Sequence, residues 1–239
     1  VQSVKCKFVH PSCMGDGTIL VTGGAKRIGR AICTQLANDG FAIAIHHRNS
    51  VSEASDLAHA IVSRGGSATT VQCDLSDPIA ISTLIDEASG ALGPVFGLVN
   101  NASMFVHDDI ATFDEASWDA HMAVNARAPM LLIRLLCQRL GEDGHASVVN
   151  ILDQKVAAPN LDHLSYTASR YAMLGLTEAL ARGLAPSVRI NAVAPGHTLP
   201  SSKQSASGFA RAQSETPLGH GPSPEDVADA VSYLMSAEA

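Results

Sequence analysis

Thr18-Ile19-Leu20-Val21-Thr22-Gly23-Gly24-Ala25-Lys26-Arg27-Ile28-Gly29 is the stretch from which the rest of the chain is read. A short unbroken apolar run predicts a buried strand, and the amphipathic residues from Ile28 to Leu36 predict the helix that follows it. Between them the glycines let backbone N–H groups approach an anion, and the helix N-terminus adds the positive end of its dipole. The strict G-x-G-x-x-G spacing is missing, so this turn is a phosphate-binding candidate by position, between strand and helix, more than by pattern.

Outward from that turn, the same alternation repeats. Strands are predicted at Phe41–His46, Ala68–Cys73, Val95–Val99, His145–Leu152 and Val188–Val193. Helices are predicted at Glu53–Arg64, from the Asp77-Pro78 cap to Leu92, at Asp114–Val124, Arg127–Leu140 and Ser165–Leu184, and from the Ser223-Pro224 cap to Met235. Continuous apolar strands alternating with helices predict an α/β protein, a single doubly wound Rossmann-type domain with a mostly parallel sheet and helices on both faces. The longest aperiodic stretch, 194–222, follows a strand's C-terminal end, where open α/β sheets bind ligands, and reads as a substrate loop or lid.

Composition narrows the function. The 239 residues are 46% hydrophobic, and 16 basic against 23 acidic residues give a net charge of −7, a poor match to nucleic acid. No apolar run approaches the ~18 residues of a membrane-spanning helix. The five cysteines (Cys6, Cys13, Cys33, Cys73 and Cys137) form no paired spacing, and the histidines complete no ligand set, so neither a disulfide framework nor a metal is expected. Free thiols point to a reducing, cytoplasmic location. Residues 1–16 carry two lysines and no apolar core long enough for a secretory signal; they read as a leader, with 17–239 as the domain.

The second strand ends in His46-His47-Arg48-Asn49-Ser50, with no carboxylate to accept a ribose 2′-hydroxyl. A guanidinium beside hydrogen-bonding groups suits a 2′-phosphate instead, with Arg27 as a second clamp. NADP(H) is therefore predicted over NAD(H), with His47, Arg48 and Asn49 at the phosphate.

Thr22-Gly23-(x)3-Arg27-Ile28-Gly29, Asn100-Asn101-Ala102, Asn125, Tyr166-(x)3-Arg170 and Pro195-Gly196 occur in the order of the short-chain dehydrogenase/reductase family, and the chain resembles it from about Thr18 to Met235. Arginine in the glycine turn, the His-Arg pair and the Asn-Ala-Ser-x-Phe run look closest to its pteridine reductase branch, which includes dihydromonapterin reductases. The resemblance implies that Gly23, Arg27, Ile28, Gly29, Asp74, Leu75, Asn101, Ala102, Ser103, Tyr166, Arg170, Pro195 and Gly196 line the cofactor. Asp74 would orient the adenine amino group, and Pro195-Gly196 would bracket the nicotinamide amide. Asn125 would hold a water in a proton relay, Tyr166 would give the proton, and Phe105 would stack on a planar pterin. A small-molecule substrate and a homo-tetramer are further implications.

Three departures from the family pattern matter. Asp153 stands where the family usually has serine, as in the pteridine reductase branch, and would supply a proton or hydrogen-bond the substrate. Arg170 replaces the family's lysine one helical turn after Tyr166. It keeps the charge that favours a phenolate but cannot release its proton. The sequence ends at Ala239, where the resemblance implies a seventh strand, either absent or cut off. Three readings stay open: a pteridine reductase, a carbonyl or 3-oxoacyl reductase on the same scaffold, and an NADP-binding protein weakened or silenced by Arg170.

Overall fold

The computed structural model describes residues 17–201 and 204–239. The expected leader, with Cys6 and Cys13, lies outside them. Six strands form one sheet: β1 (Thr18–Val21), β2 (Ala42–His47), β3 (Ala68–Gln72), β4 (Val95–Asn100), β5 (Ala146–Ile151) and β6 (Val188–Val193). Their order is β3-β2-β1-β4-β5-β6, and every neighbouring pair is parallel. The order reverses between β1 and β4, which opens a crevice beyond the carboxyl ends of those two strands.

Side chains alternate across the sheet with period two and divide the core in half. Ile19, Val21, Ile43, Ile45, Val99 and Val149 pack on α1 (Arg27–Asn38), α2 (Val51–Val62) and α9 (Pro224–Met235). Leu20, Ala44, Leu98, Val148 and Ile190 face the other way, onto α3 (Pro78–Ile81), α4 (Leu84–Leu92), α6 (Ala128–Arg139) and α7 (Leu164–Leu184). All of β1 and all of β5 are buried, which is why these strands read as unbroken apolar runs. Ser223 and Asp226 close a reciprocal capping box at the start of α9, whose Val227, Ala228, Val231 and Met235 form one buried stripe.

Three elements differ from their sequence reading. The single helix expected after Asp77 breaks at Ser82-Thr83 into α3 and α4. There the Ser82 hydroxyl donates to the Ile79 carbonyl (2.6 Å), a side-chain bond that competes with the helical ladder. The gap left between Val124 and Arg127 is no break: a π-helical turn, Ala123–Arg127, joins α5 (Glu115–Met122) to α6. The aperiodic stretch 194–222 contains a helix, α8 (Ala206–Ser214), capped by the Ser205 hydroxyl. None of its residues is fully buried, and its half-buried face, Gly208, Phe209, Ala212 and Gln213, carries a single large apolar side chain, a weak signal in sequence.

Candidate active site

All six strands point their carboxyl ends the same way, so β1, β2, β4, β5 and β6 deliver the predicted site residues to one edge of the sheet. At the end of β1, Thr22 Oγ1 accepts from the amides of Asn101 (2.9 Å) and Ala102 (3.0 Å). Asn101 Nδ2 donates back to the carbonyls of Thr22 and Gly23 (2.9 and 3.2 Å). Two loops far apart in sequence thus brace one turn. Gly23 has φ +62°, and a Cβ on it would sit 3.0 Å from Ala102 Cα, so glycine is required there both sterically and conformationally.

Helix α1 begins with Arg27, and its N-cap residue, Lys26, makes no side-chain capping bond. The first-turn amides of α1, those of Ile28 and Gly29 among them, therefore face the crevice with the dipole behind them, a seat for phosphate. Arg48 and Asn49 are exposed beyond β2, while His47 is buried with its Nδ1 unpartnered. Asp74 accepts from the amide and hydroxyl of Ser76, and those bonds, with the nearby Arg48 charge, hold its carboxyl below the usual range. Leu75 beside it belongs to the core. Arg27 goes elsewhere: its Nη2 donates to the carbonyl of Pro200 (2.9 Å), in the loop after β6. As a second clamp for the same phosphate as Arg48 it is not preset; it ties the glycine turn to the expected lid.

One residue that the sequence reading left without a role is His46. Its Nδ1 accepts from the Gly23 amide (3.0 Å), and its Nε2 bonds the Cys73 carbonyl (3.0 Å). The one available signal is a histidine closing an otherwise apolar buried strand. Burial pulls the imidazole down from 6.5 to about 4. A folded value below the unfolded one means that the neutral ring stabilises the fold above 6.5, and that this contribution is lost as pH falls through about 4. The melting temperature is expected to decline between those limits and to decline less in His46→Leu; identical slopes in the two proteins would remove His46 as the source.

On the far side of the crevice, α7 carries Tyr166 and Arg170 one turn apart, each only 4% exposed. The Tyr166 hydroxyl donates to Asp153 Oδ2 (2.8 Å), and the Arg170 guanidinium carbon lies 5.0 Å from the Tyr166 ring centroid. Arg170 Nη1 donates to the Ile151 carbonyl (3.1 Å), while its buried Nε has no partner. Arg170 acts on the phenol in the expected direction, but burial outweighs it and Asp153 opposes it, so the hydroxyl is pushed up to about 12. Tyr166 is accordingly held in its neutral, protonated form. Asp153 is fixed in turn by the Lys155 amide on Oδ1 (2.9 Å), and the Gln154 amide donates to the Pro195 carbonyl (3.1 Å), which brings Pro195 and Gly196 beside the dyad.

The segment after β4 is pinned at every second residue. Asn125, presented by the π-helical turn, bonds the Met104 amide and carbonyl (2.8 and 2.9 Å) and Ser169 Oγ (3.0 Å). His121 Nε2 accepts from the Val106 amide (3.2 Å), and the buried Asp108 carboxylate accepts from the amide and hydroxyl of Ser165. Met104 and Ser169 engage both polar atoms of the Asn125 side chain, which anchors this segment to α7. The intervening Ser103 and Phe105 are left exposed, Phe105 by 43%. The Phe105 ring stands edge-on to Tyr166 (centroids 4.7 Å, 86°) and is stacked on His163 (4.2 Å, 10°). His163, on which Phe105 stacks, is held by a left-handed backbone at φ 53°.

A phosphate seat at a helix end, two buried nitrogen atoms without partners and a phenol held as acid fit a dinucleotide on one side and a reducible substrate on the other. The chain belongs to the short chain dehydrogenase family, whose profile matches residues 17–209. Among solved structures it is similar to FolM alternative dihydrofolate reductase 1 from Brucella canis, complexed with NADP: 41% identity, 93% of this chain and 88% of that one, TM-score 0.90. It is 31% identical to an uncharacterized oxidoreductase of Methylorubrum extorquens, over 92% of this chain and 90% of that protein. A 3-oxoacyl-[acyl-carrier-protein] reductase of Staphylococcus aureus is 27% identical, over 92% and 91%.

Proposed function

We propose that this protein is an NADP(H)-dependent oxidoreductase that reduces a pteridine-like ring, dihydropterin to tetrahydropterin. The observation that carries the reading is the Asp153 carboxylate on the Tyr166 hydroxyl, 2.8 Å away, with the Phe105 ring at the edge of the phenol. An aromatic wall beside a proton donor suits a flat heterocycle with a C=N bond. Likeness to the Brucella canis dihydrofolate reductase over nearly the whole chain supports the same substrate class.

NADPH, when bound, supplies the hydride; the chain does the rest. The first turn of α1 binds the diphosphate, and Arg48 with His47 takes the 2′-phosphate. Arg170 Nε, buried and unpartnered, offers a donor on the ribose side. As the C=N electron pair moves onto nitrogen, Tyr166 gives that nitrogen its proton, and the buried Arg170 charge stabilises the phenolate left behind. Arg170 cannot release a proton, so the phenolate takes its replacement proton from solvent by way of Asp153, whose Oδ2 lies 2.8 Å from it.

The Staphylococcus aureus relative favours a second reading, reduction of a 3-oxoacyl thioester on the same Tyr166 acid. Oxidation of NADPH and of NADH, followed by absorbance with dihydrobiopterin, dihydrofolate and acetoacetyl thioesters, tests both. NADPH-dependent turnover of the dihydropterins is expected. Turnover of thioesters alone would replace the substrate assignment, a preference for NADH would overturn the role of Arg48, and binding without turnover on any of them would leave a non-catalytic NADP-binding protein.

A further inference from the structure

Three hydrogen bonds converge on one residue at the tip of β2. The amides of Gly23 and Gly24 both donate to His46, the first to ring Nδ1 (3.0 Å) and the second to its backbone carbonyl (2.9 Å). The opposite ring nitrogen, Nε2, bonds the Cys73 carbonyl just past β3 (3.0 Å). An amide can only donate and a carbonyl can only accept, so these partners assign the tautomer: Nδ1 bare, Nε2 protonated. His46 is 2% exposed and packed between the turn after β1 and the loop after β3. Consuming the Gly23 and Gly24 amides leaves the phosphates to the next free N–H groups, those in the first turn of α1.

We propose that His46 is a positioning residue of the cofactor site, a strut that sets the span between the glycine turn and the Asp74 loop. It touches no part of a bound dinucleotide. It fixes the distance between two places the dinucleotide must reach together, the phosphate seat at α1 and the adenosine side at Cys73-Asp74. The inference rests on the dinucleotide reading of this crevice. It predicts that a ligand bridging both places feels the loss of the strut, whereas a ligand occupying only the adenosine side does not.

The test uses the full chain, calorimetric titration with NADPH and with adenosine 2′-monophosphate, and circular dichroism to verify folding. His46→Leu removes both ring hydrogen bonds at similar volume. Its Kd for NADPH is expected to rise about tenfold or more, on the scale of losing one or two buried hydrogen bonds, with little change for adenosine 2′-monophosphate. His46→Asn, which keeps an acceptor near Gly23, is expected to recover much of the loss, and His46→Gln, which reaches toward Cys73 instead, to recover less. A folded His46→Leu protein with unchanged NADPH affinity overturns the proposal. So does an equal loss for both ligands, which would make the role one of local folding. Should His46→Leu fail to fold, equal NADPH affinities of the Asn and Gln variants overturn it as well. Failure of the unsubstituted chain to bind NADPH refutes the dinucleotide reading itself, and is told apart because it appears without any substitution.

Discussion

Tyr166→Phe is expected to lower NADPH-dependent turnover by about 10²–10⁴-fold, the usual contribution of a positioned general acid. The phenylalanine ring keeps the contacts with Arg170 and Phe105, so the change removes the hydroxyl, with its proton and its bond to Asp153, and leaves the packing in place. NADPH affinity should be nearly unchanged, and steady-state rates beside a cofactor titration separate the two effects. Arg170→Lys should also lose rate, though less. Lysine matches the family pattern, but the guanidinium here spans from the Tyr166 ring to the Ile151 carbonyl, a reach that one ammonium does not reproduce. A Tyr166→Phe protein with wild-type turnover would take the proton donor away from this site. A gain in rate for Arg170→Lys would mark arginine as a handicap in this active site.

Gly29→Ala is expected to impair the other end of the crevice. A Cβ there would lie 2.2 Å from the Gly23 carbonyl oxygen and 2.6 Å from Asn101 Nδ2, the two groups that shape the phosphate turn. Backbone cannot swing aside as a flexible side chain does, so the turn or the start of α1 must shift. Overpacking of this kind costs about 1–3 kcal/mol. Expressed in cofactor affinity, that is a loss of roughly five- to 150-fold. Gly175→Ala is the matched control: it lies within α7 with nothing near its Cβ position, and alanine is the better helix former. Thermal melts and NADPH titrations should show the first variant impaired and the second equal to or slightly better than wild type. Equal behaviour of the two would remove the steric account of the turn.

What could be read along the chain was whatever repeats locally. Strand positions, the alternation with helices and the parallel sheet followed from apolar runs and caps, because burial imposes period two or 3.6 on neighbouring residues wherever the partner segments come from. The Tyr166–Arg170 contact was legible for the same reason, as residues one helical turn apart share a face. α8 was not, since its half-buried face carries one large apolar side chain, Phe209, too little to mark a period. Nor was the break between α3 and α4, which turns on a single hydroxyl.

Most of the site's wiring was decided only in three dimensions. The route of Arg27 to the Pro200 carbonyl, the Phe105 ring on His163, the anchoring of Met104 by Asn125 and the grip of His46 on Gly23 and Cys73 join residues from 21 to 173 positions apart. Composition states which donors and acceptors a chain owns. Which of them meet depends on how the sheet stacks its strand ends, and a hydrogen bond acts over about 3 Å whatever the separation along the chain.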